Sequence, residues 1–218
     1  MKKLFVVAMI TCVAMMVFAD WAGNHRYAEA NRGVPPGSVV LFGDSITDSW
    51  PRKRPEFFSE TKFVGRGISG QTTAQMLCRF RNDVINLRPR AVVILAGTND
   101  MAENNGPIRT VDAVGNIMSM CELAKANGIR VVLCSVTPAA KFPWRPQITD
   151  VVARIDDINR ILKSYADVQG IPWLDYNTLL NDGEGGMGDK ADDGLHPNGE
   201  GYAIMEGALV LFLKKVGI

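Results

Sequence analysis

The chain has 218 residues, of which 47% are hydrophobic and 22% charged, so it holds enough apolar material for a buried core. A disordered, collagen-like or coiled-coil protein is excluded, because glycine and proline are scattered without a period. With a formal net charge of +1, the chain lacks the excess of basic residues that is typical of nucleic-acid-binding proteins. With two histidines in all, histidine chemistry has to use His25 or His196, and a three-histidine metal site is excluded.

The first predicted element is a secretory signal peptide over residues 1–19. A short basic start precedes an uncharged apolar run, and Val17 and Ala19 are small enough for the −3 and −1 positions of a signal peptidase site. The run is shorter than the roughly 20 residues of a membrane span. We therefore expect a secreted or periplasmic protein with no stable membrane insertion, in which residues 20–218 form a single domain. An uncleaved N-terminal anchor is the alternative.

The next predicted elements are short β-strands with continuous rather than alternating apolar residues. Such runs are typical of strands that are covered on both faces, as in a parallel sheet. A weaker fifth run, Lys62–Val64, accompanies four clear ones. These four are Ser38–Phe42, Ala91–Leu95, Arg130–Val136 and Ile171–Asp175.

Amphipathic stretches with helical spacing lie between and after these strands. They are Thr72–Leu87, Val111–Ala126, Ile148–Val168 and Gly199–Val216. The alternation of strands and helices predicts one three-layer α/β domain with right-handed crossovers. In such open sheets, the ligand site lies outside the carboxyl ends of the strands.

Once the signal has been removed, the cysteines number three and include no C-x-x-C pair. Cys78, Cys121 and Cys134 are therefore predicted to be small buried hydrophobic residues rather than disulfide partners. We assign none of them a catalytic role.

Four segments carry the side chains that are typical of an acyl-transfer site. Three follow predicted strands and the fourth lies in a late loop, and together they supply a hydroxyl, a histidine, a carboxylate, a glycine N–H and an amide. They are Gly43–Thr47 (GDSIT), Gly65–Thr72 (GRGISGQT), Ala96–Asp100 (AGTND) and Asp192–Asn198 (DDGLHPN).

In this order, the four segments resemble the sequence blocks of the SGNH hydrolases, also called GDSL-type esterases and lipases. The resemblance extends from about Val39 to about Tyr202, and the one small departure is the conservative Ile46 in place of leucine. It implies a flavodoxin-like fold with a five-stranded parallel sheet. It also implies a serine esterase that needs no cofactor and no metal.

Ser45 is the predicted nucleophile, because Gly43 and Asp44 allow a tight turn that presents its hydroxyl at the end of a strand. The alternative is that Ser45 caps a helix. His196 is the predicted general base, since an imidazole accepts and returns protons near neutral pH. The rival His25 has no strand before it, and we interpret it as structural or solvated.

Asp193 is the predicted orienting carboxylate, three residues before His196, with Gly194 allowing the loop to bend back. Asp192 is adjacent to it, and the D-x-x-H pattern of the family selects Asp193. The resemblance also implies an oxyanion hole built from the N–H groups of Ser45 and Gly70 and from the side-chain amide of Asn99. Alternatively, Gly70 serves a turn with positive φ and Asn99 an Asx turn.

The expected substrate is a small-molecule or carbohydrate ester with a short acyl group such as acetyl, because no lid or cap insertion separates the blocks. Trp144, in the proline-rich loop Lys141–Pro146, either stacks on a sugar or packs locally. The acidic segment Asn181–Gly194 does not match an EF-hand, so we expect a flexible surface loop there rather than a calcium site.

Alternative functions remain open at this point. The same family contains lysophospholipases and thioesterases. A non-catalytic carbohydrate-binding protein is less expected, because such proteins usually lose a member of the triad. A flavodoxin-like nucleotide binder would need a phosphate-binding loop after the first strand, where this chain has the carboxylate of Asp44.

Overall fold

The structure, a computed structural model, describes residues 20–218, so the predicted signal peptide lies outside the described residues. A parallel five-stranded sheet forms its centre. The strands are β1 Val39–Gly43, β2 Phe63–Gly67, β3 Ala91–Leu95, β4 Arg130–Cys134 and β5 Trp173–Leu174. Their order in the sheet is β2-β1-β3-β4-β5, which confirms the predicted flavodoxin-like α/β fold.

Helices cover both faces of the sheet. They are α1 Ser45–Lys53, α2 Pro55–Ser59, α3 Thr73–Asp83, α4 Thr98–Met101, α5 Thr110–Ala126, α6 Val151–Gln169, α7 Tyr176–Leu180 and α8 Gly199–Lys215. One face of the sheet carries Val40, Phe42 and Ile94 and packs against α3, α5 and α6, whereas the opposite face carries Val39 and Leu41 and packs against α1, α7 and α8. Successive strand side chains point to opposite faces, so a strand covered on both faces is apolar throughout.

The order of the strands creates a switch point beside β1. The chain leaves β1 for the edge strand β2 and returns as β3 on the other side of β1. Crevices at such switch points, outside the carboxyl ends of the strands, are where open α/β sheets bind ligands. Ser45 begins the helix after β1 and Thr98 begins the helix after β3, so the fold places both segments at this crevice.

The second strand extends beyond the predicted run Lys62–Val64. The sequence does not reveal this extension, because glycine is uncommon inside strands. The strand continues from Val64 to Gly67, where a Cβ atom would come within 2.0 Å of the Asp48 nitrogen. Only glycine permits this close approach of β2 to α1. The helices α1 and α2 were not predicted, since Pro51 and Pro55 interrupt the sequence there.

The prediction for the cysteines is confirmed for Cys121 and Cys134, which are buried and free, but it is wrong for Cys78. Cys78 is free and exposed, because it lies on the outer face of α3 rather than on the face that packs against the sheet.

Across residues 20–218, no helix combines the length and the apolar character that crossing a bilayer requires.

Candidate active site

The turn after β1 presents Ser45 at the first position of α1. Asp44 is the N-cap of this helix, and its carboxylate accepts a 3.1 Å hydrogen bond from the Ile46 N–H, so the cap is Asp44 rather than Ser45. The turn depends on Gly43, where a Cβ atom would lie 2.1 Å from the Thr47 hydroxyl and 2.8 Å from the Leu95 carbonyl oxygen. The hydroxyl of Ser45 is thereby free to contact groups across the crevice.

His196 lies in hydrogen-bonding contact with both Ser45 and Asp193. Its Nε2 is 2.9 Å from Ser45 Oγ, and its Nδ1 is 2.7 Å from Asp193 Oδ2. The other carboxylate oxygen, Asp193 Oδ1, accepts the backbone N–H groups of Leu195 and His196 at 3.0 and 2.8 Å. Gly194 makes this loop possible with a φ of +83°.

Hydrogen bonds also set the charge state of Asp193. Burial works to raise the pKa of this carboxyl, but the hydrogen bonds from the His196 N–H, the His196 ring and the Leu195 N–H outweigh it and leave the pKa below 3.8. Asp193 is therefore ionised at neutral pH, the state that holds the imidazole by its Nδ1–H.

The two rival residues lie elsewhere. The carboxylate of Asp192 forms an ion pair with Lys53 on the rim of the cleft, and Asp192 contacts His196 only through its backbone N–H, which donates to the His196 carbonyl at 2.9 Å. His25 is exposed, its backbone N–H donates to Asp20, and it lines a separate surface depression with Asn82.

Gly70 and Asn99 follow the carboxyl ends of β2 and β3, and both line the cleft with Ser45. Gly70 has a φ of +78°, so its backbone forms the turn with positive φ. This is compatible with a further role in the oxyanion hole. The side-chain amide of Asn99 donates to Asp44 Oδ2 at 3.1 Å and to the Gln71 carbonyl at 3.0 Å. An oxyanion would therefore have to share or replace one of these acceptors.

Two further buried carboxylates lie beneath the cleft. Burial raises the pKa of Asp44 to about 6, although the Ile46 N–H and His196 act to lower it. Burial likewise raises the pKa of Asp100 to about 6 against two hydrogen bonds from Thr73. Both groups are more easily protonated in the folded protein than in the unfolded chain.

A raised pKa predicts a specific pH dependence of stability for Asp100. The stability it contributes is fully present below its unfolded pKa of about 3.8 and is lost as the pH rises through its folded pKa of about 6. The unfolding free energy of the wild type, relative to that of Asp100→Asn, should therefore fall by about 2 kcal/mol between pH 4 and pH 7. Urea titrations of both proteins measure this difference, and a difference that is flat or rises with pH would contradict it.

A buried arginine, Arg79, for which the sequence gives no signal, links segments that line the cleft. Arg79 is fully buried and pairs with Asp83 at 3.0 Å. Its guanidinium also donates to the Gly43 carbonyl at 2.9 Å, to the Arg66 carbonyl at 3.1 Å and to Gln71 Oε1 at 2.6 Å. It thus connects the ends of β1 and β2, which carry Ser45 and Gly70.

The cleft itself is open, with a volume of about 490 Å³, and most of the side chains that line it are polar or charged. Trp144 stands at its rim with 41% of its surface exposed, packs on Phe142 at 5.7 Å, and donates its indole N–H to Asn104 at 2.8 Å. Trp50 by contrast is buried in the core. A second groove of about 540 Å³ adjoins Asp193; its lining includes Phe142, Pro143, Pro146 and Ile148.

A serine, a histidine and an aspartate in hydrogen-bonding contact at a sheet edge form the arrangement that serine hydrolases use. Comparison with known proteins likewise indicates a hydrolase. The model of the GDSL-like Lipase/Acylhydrolase family matches residues 41–204. The chain therefore belongs to this family of hydrolases.

Similar proteins fall in the same family or have related activities. A crystal structure of a GDSL-like lipase from Bacteroides thetaiotaomicron is 45% identical, covers 89% of this chain and 98% of that one, and superposes with a TM-score of 0.85. A human isoamyl acetate-hydrolyzing esterase 1 homolog is 26% identical over 77% of each chain. An acetylxylan esterase from Xylanibacter ruminicola is 28% identical over 61% of this chain, which spans only 30% of that protein.

Proposed function

We propose that the protein is a serine esterase in which Ser45, His196 and Asp193 form the catalytic triad. The observation that carries this proposal is the continuous chain of hydrogen bonds from Ser45 Oγ through the imidazole to the Asp193 carboxylate, at 2.9 and 2.7 Å. Both distances lie within the reach that proton transfer requires. A fluorophosphonate, which reacts with activated serines, should label Ser45 of the wild type, and an adduct on another residue would contradict the proposal.

The geometry supports a two-step acyl transfer. His196 Nε2 takes the proton of Ser45 Oγ as the oxygen attacks the ester carbonyl, and the imidazolium that forms is stabilised by the ionised Asp193. The imidazolium then protonates the leaving alcohol, and the acyl group stays on Ser45. A water molecule, activated by the same imidazole, releases the acid and restores the serine.

The oxyanion hole is proposed to consist of the N–H groups of Ser45 and Gly70 and the amide of Asn99. Ser45 N–H lies at the N-terminus of α1, where a backbone amide has no partner inside the helix. Within residues 20–218, the Gly70 N–H has no hydrogen-bond acceptor either. Unpaired donors on the rim of the cleft suit a developing negative charge.

We further propose short acyl esters as substrates, with acetyl groups on carbohydrate first among them. The support is the open cleft around Ser45, which is lined mostly by polar and charged side chains, and the exposed indole of Trp144. Aromatic rings of this kind offer an apolar face to a sugar. The names of the isoamyl acetate-hydrolyzing and acetylxylan esterase relatives point to acetyl groups as well.

A chain-length series tests the acyl preference. Each methylene buried in a pocket contributes about 1 kcal/mol, so without a deep apolar channel longer acyl chains gain nothing. We expect kcat/KM to fall from p-nitrophenyl acetate or propionate to the octanoate, measured below micelle-forming concentrations. Acetylated xylan and acetylated sialic acid, assayed by acetate release, then test which alcohol part of the ester the enzyme accepts.

One observation favours a second candidate, a lysophospholipase or thioesterase. The groove beside Asp193 is lined by Phe142, Pro143 and Ile148 and has room for an apolar tail. If an acyl chain lies in this groove, kcat/KM should rise through the octanoate and decanoate. That result would replace the short-acyl proposal and leave the proposed triad unchanged.

We also propose that residues 1–19 are a cleaved secretory signal and that residues 20–218 act as a single secreted or periplasmic hydrolase domain. The support is the basic start and the apolar run of the sequence. N-terminal sequencing of the exported protein should give Asp20 as the first residue, whereas an intact Met1 would favour the anchor.

A further inference from the structure

Asn104 makes contacts that the proposed triad and oxyanion hole do not account for. It follows α4, and its backbone N–H donates to the Asn99 carbonyl at 3.0 Å. Its side-chain amide donates to Asn99 Oδ1 at 2.7 Å and to the Gly70 carbonyl at 3.2 Å. One side chain therefore contacts both residues of the proposed oxyanion hole that lie outside α1.

These contacts determine which way the Asn99 amide faces. Asn99 Oδ1 is held by the NH₂ group of Asn104, so the Asn99 NH₂ faces the Asp44 carboxylate and the Gln71 carbonyl. In the flipped orientation, Asn99 Oδ1 would face those two acceptors and its NH₂ would face the NH₂ of Asn104. The donor and acceptor pattern around Asn99 therefore fits one orientation only.

Asn104 is itself fixed from the rim of the cleft. Its Oδ1 accepts the indole N–H of Trp144 at 2.8 Å, so the oxygen and the NH₂ group of Asn104 are both used. The loop that carries Trp144 is tied to the same turn, because Arg145 donates to the Glu103 carbonyl at 3.2 Å. Hydrogen bonds thus run from Trp144 through Asn104 to Asn99.

We propose that Asn104 is a positioning residue for the oxyanion hole, which orients the Asn99 amide, anchors the carbonyl group of Gly70 and is held in turn by Trp144. The proposal rests on the proposed function, since it assigns Asn104 a role in stabilising the oxyanion that Ser45 would generate. It does not place Asn104 in contact with the reacting atoms. Its effect should therefore appear in kcat rather than in KM.

Two substitutions of Asn104 separate orientation from simple packing. Asn104→Asp keeps an acceptor for Trp144 but places a carboxylate against two other acceptors, Asn99 Oδ1 and the Gly70 carbonyl. Asn104→Ala removes all three side-chain hydrogen bonds without adding repulsion. We expect kcat for p-nitrophenyl acetate to fall about 100-fold in Asn104→Asp and about 10-fold in Asn104→Ala, with KM within about threefold of the wild type.

The neighbouring Asn105 provides a matched control. Its exposed amide donates to Thr72 Oγ1 and Gln75 Oε1, at 2.8 and 2.7 Å, and contacts neither Asn99 nor Gly70. Asn105→Asp makes the same chemical change one residue along the chain and should keep kcat within about twofold of the wild type. Trp144→Phe, which removes only the indole donor, should lower kcat by about threefold.

Thermal unfolding and circular dichroism of every variant report whether the fold is kept. Equal kcat values in Asn104→Asp, Asn104→Ala and Asn105→Asp would overturn the positioning role. An increase in KM without a loss of kcat would overturn it too, as would a loss of kcat that merely parallels a lower melting temperature. If the wild type shows ester hydrolysis that Ser45→Ala abolishes, these outcomes judge the role of Asn104 alone. A wild type without Ser45-dependent hydrolysis would overturn both proposals.

Discussion

Replacing Ser45 by alanine is expected to lower kcat for p-nitrophenyl acetate by about 10⁴-fold or more, because no other group can form the acyl-enzyme at this position. The fold should be kept, since Ser45 Oγ contacts His196 across the cleft and alanine is well tolerated in the first turn of α1. Initial rates and thermal unfolding measure the two effects. The matched control is Ser59→Ala, which removes an exposed hydroxyl from α2 and should leave the rate unchanged.

A residual rate in Ser45→Ala within tenfold of the wild type would place the nucleophile elsewhere. A large loss accompanied by unfolding would instead mean that Ser45 supports the turn after β1.

Replacing His196 by alanine should lower kcat by about 10⁵-fold, and replacing Asp193 by asparagine should lower it by about 10³-fold to 10⁴-fold. The imidazole moves the proton at Ser45 Oγ, whereas Asp193 holds the imidazole through Nδ1 at 2.7 Å and stabilises its charge. Asparagine retains an oxygen for the Leu195 and His196 N–H groups, so the loop should keep its shape. Steady-state rates across the pH range measure both losses.

His25→Ala is the control for this pair, because it removes the one other histidine of the chain from an exposed position. It should keep the wild-type rate. The assignment of the base would be wrong if His25→Ala were the more damaging of the two histidine substitutions. The orienting role of Asp193 would fall if Asp192→Asn, which breaks the ion pair with Lys53, cost more activity than Asp193→Asn.

The buried part of the fold was predictable because apolar runs report burial directly. Val39–Gly43 and Ala91–Leu95 are buried throughout, and their sequences show no polar residue. The strand Phe63–Gly67 was predicted only in part, since its two glycines are required by the approach of α1 and not by strand formation. The third helix ends at Asp83 rather than Leu87, because the chain turns into a short 3₁₀ segment over Ile85–Leu87.

The candidate site was predictable where its residues lie in short motifs at strand ends. Asp193 and His196 are three residues apart, and the hydrogen bond between them is local. Contacts between distant segments left no such signal: Arg79 reaches Gly43 across 36 positions, and Trp144 reaches Asn104 across 40. An arginine in an amphipathic helix is normally predicted to be exposed. The burial of Arg79 is therefore evident only from the tertiary structure.

The central claim, that Ser45 is an activated nucleophile, is tested most directly by labelling with a fluorophosphonate and locating the adduct by mass spectrometry. The wild type should gain one phosphonyl group per chain, and peptide mapping should place it on Ser45. His196→Ala should label far more slowly, because the hydroxyl loses its base. An adduct on any other residue of the wild type, or undiminished labelling of Ser45→Ala, would contradict the claim.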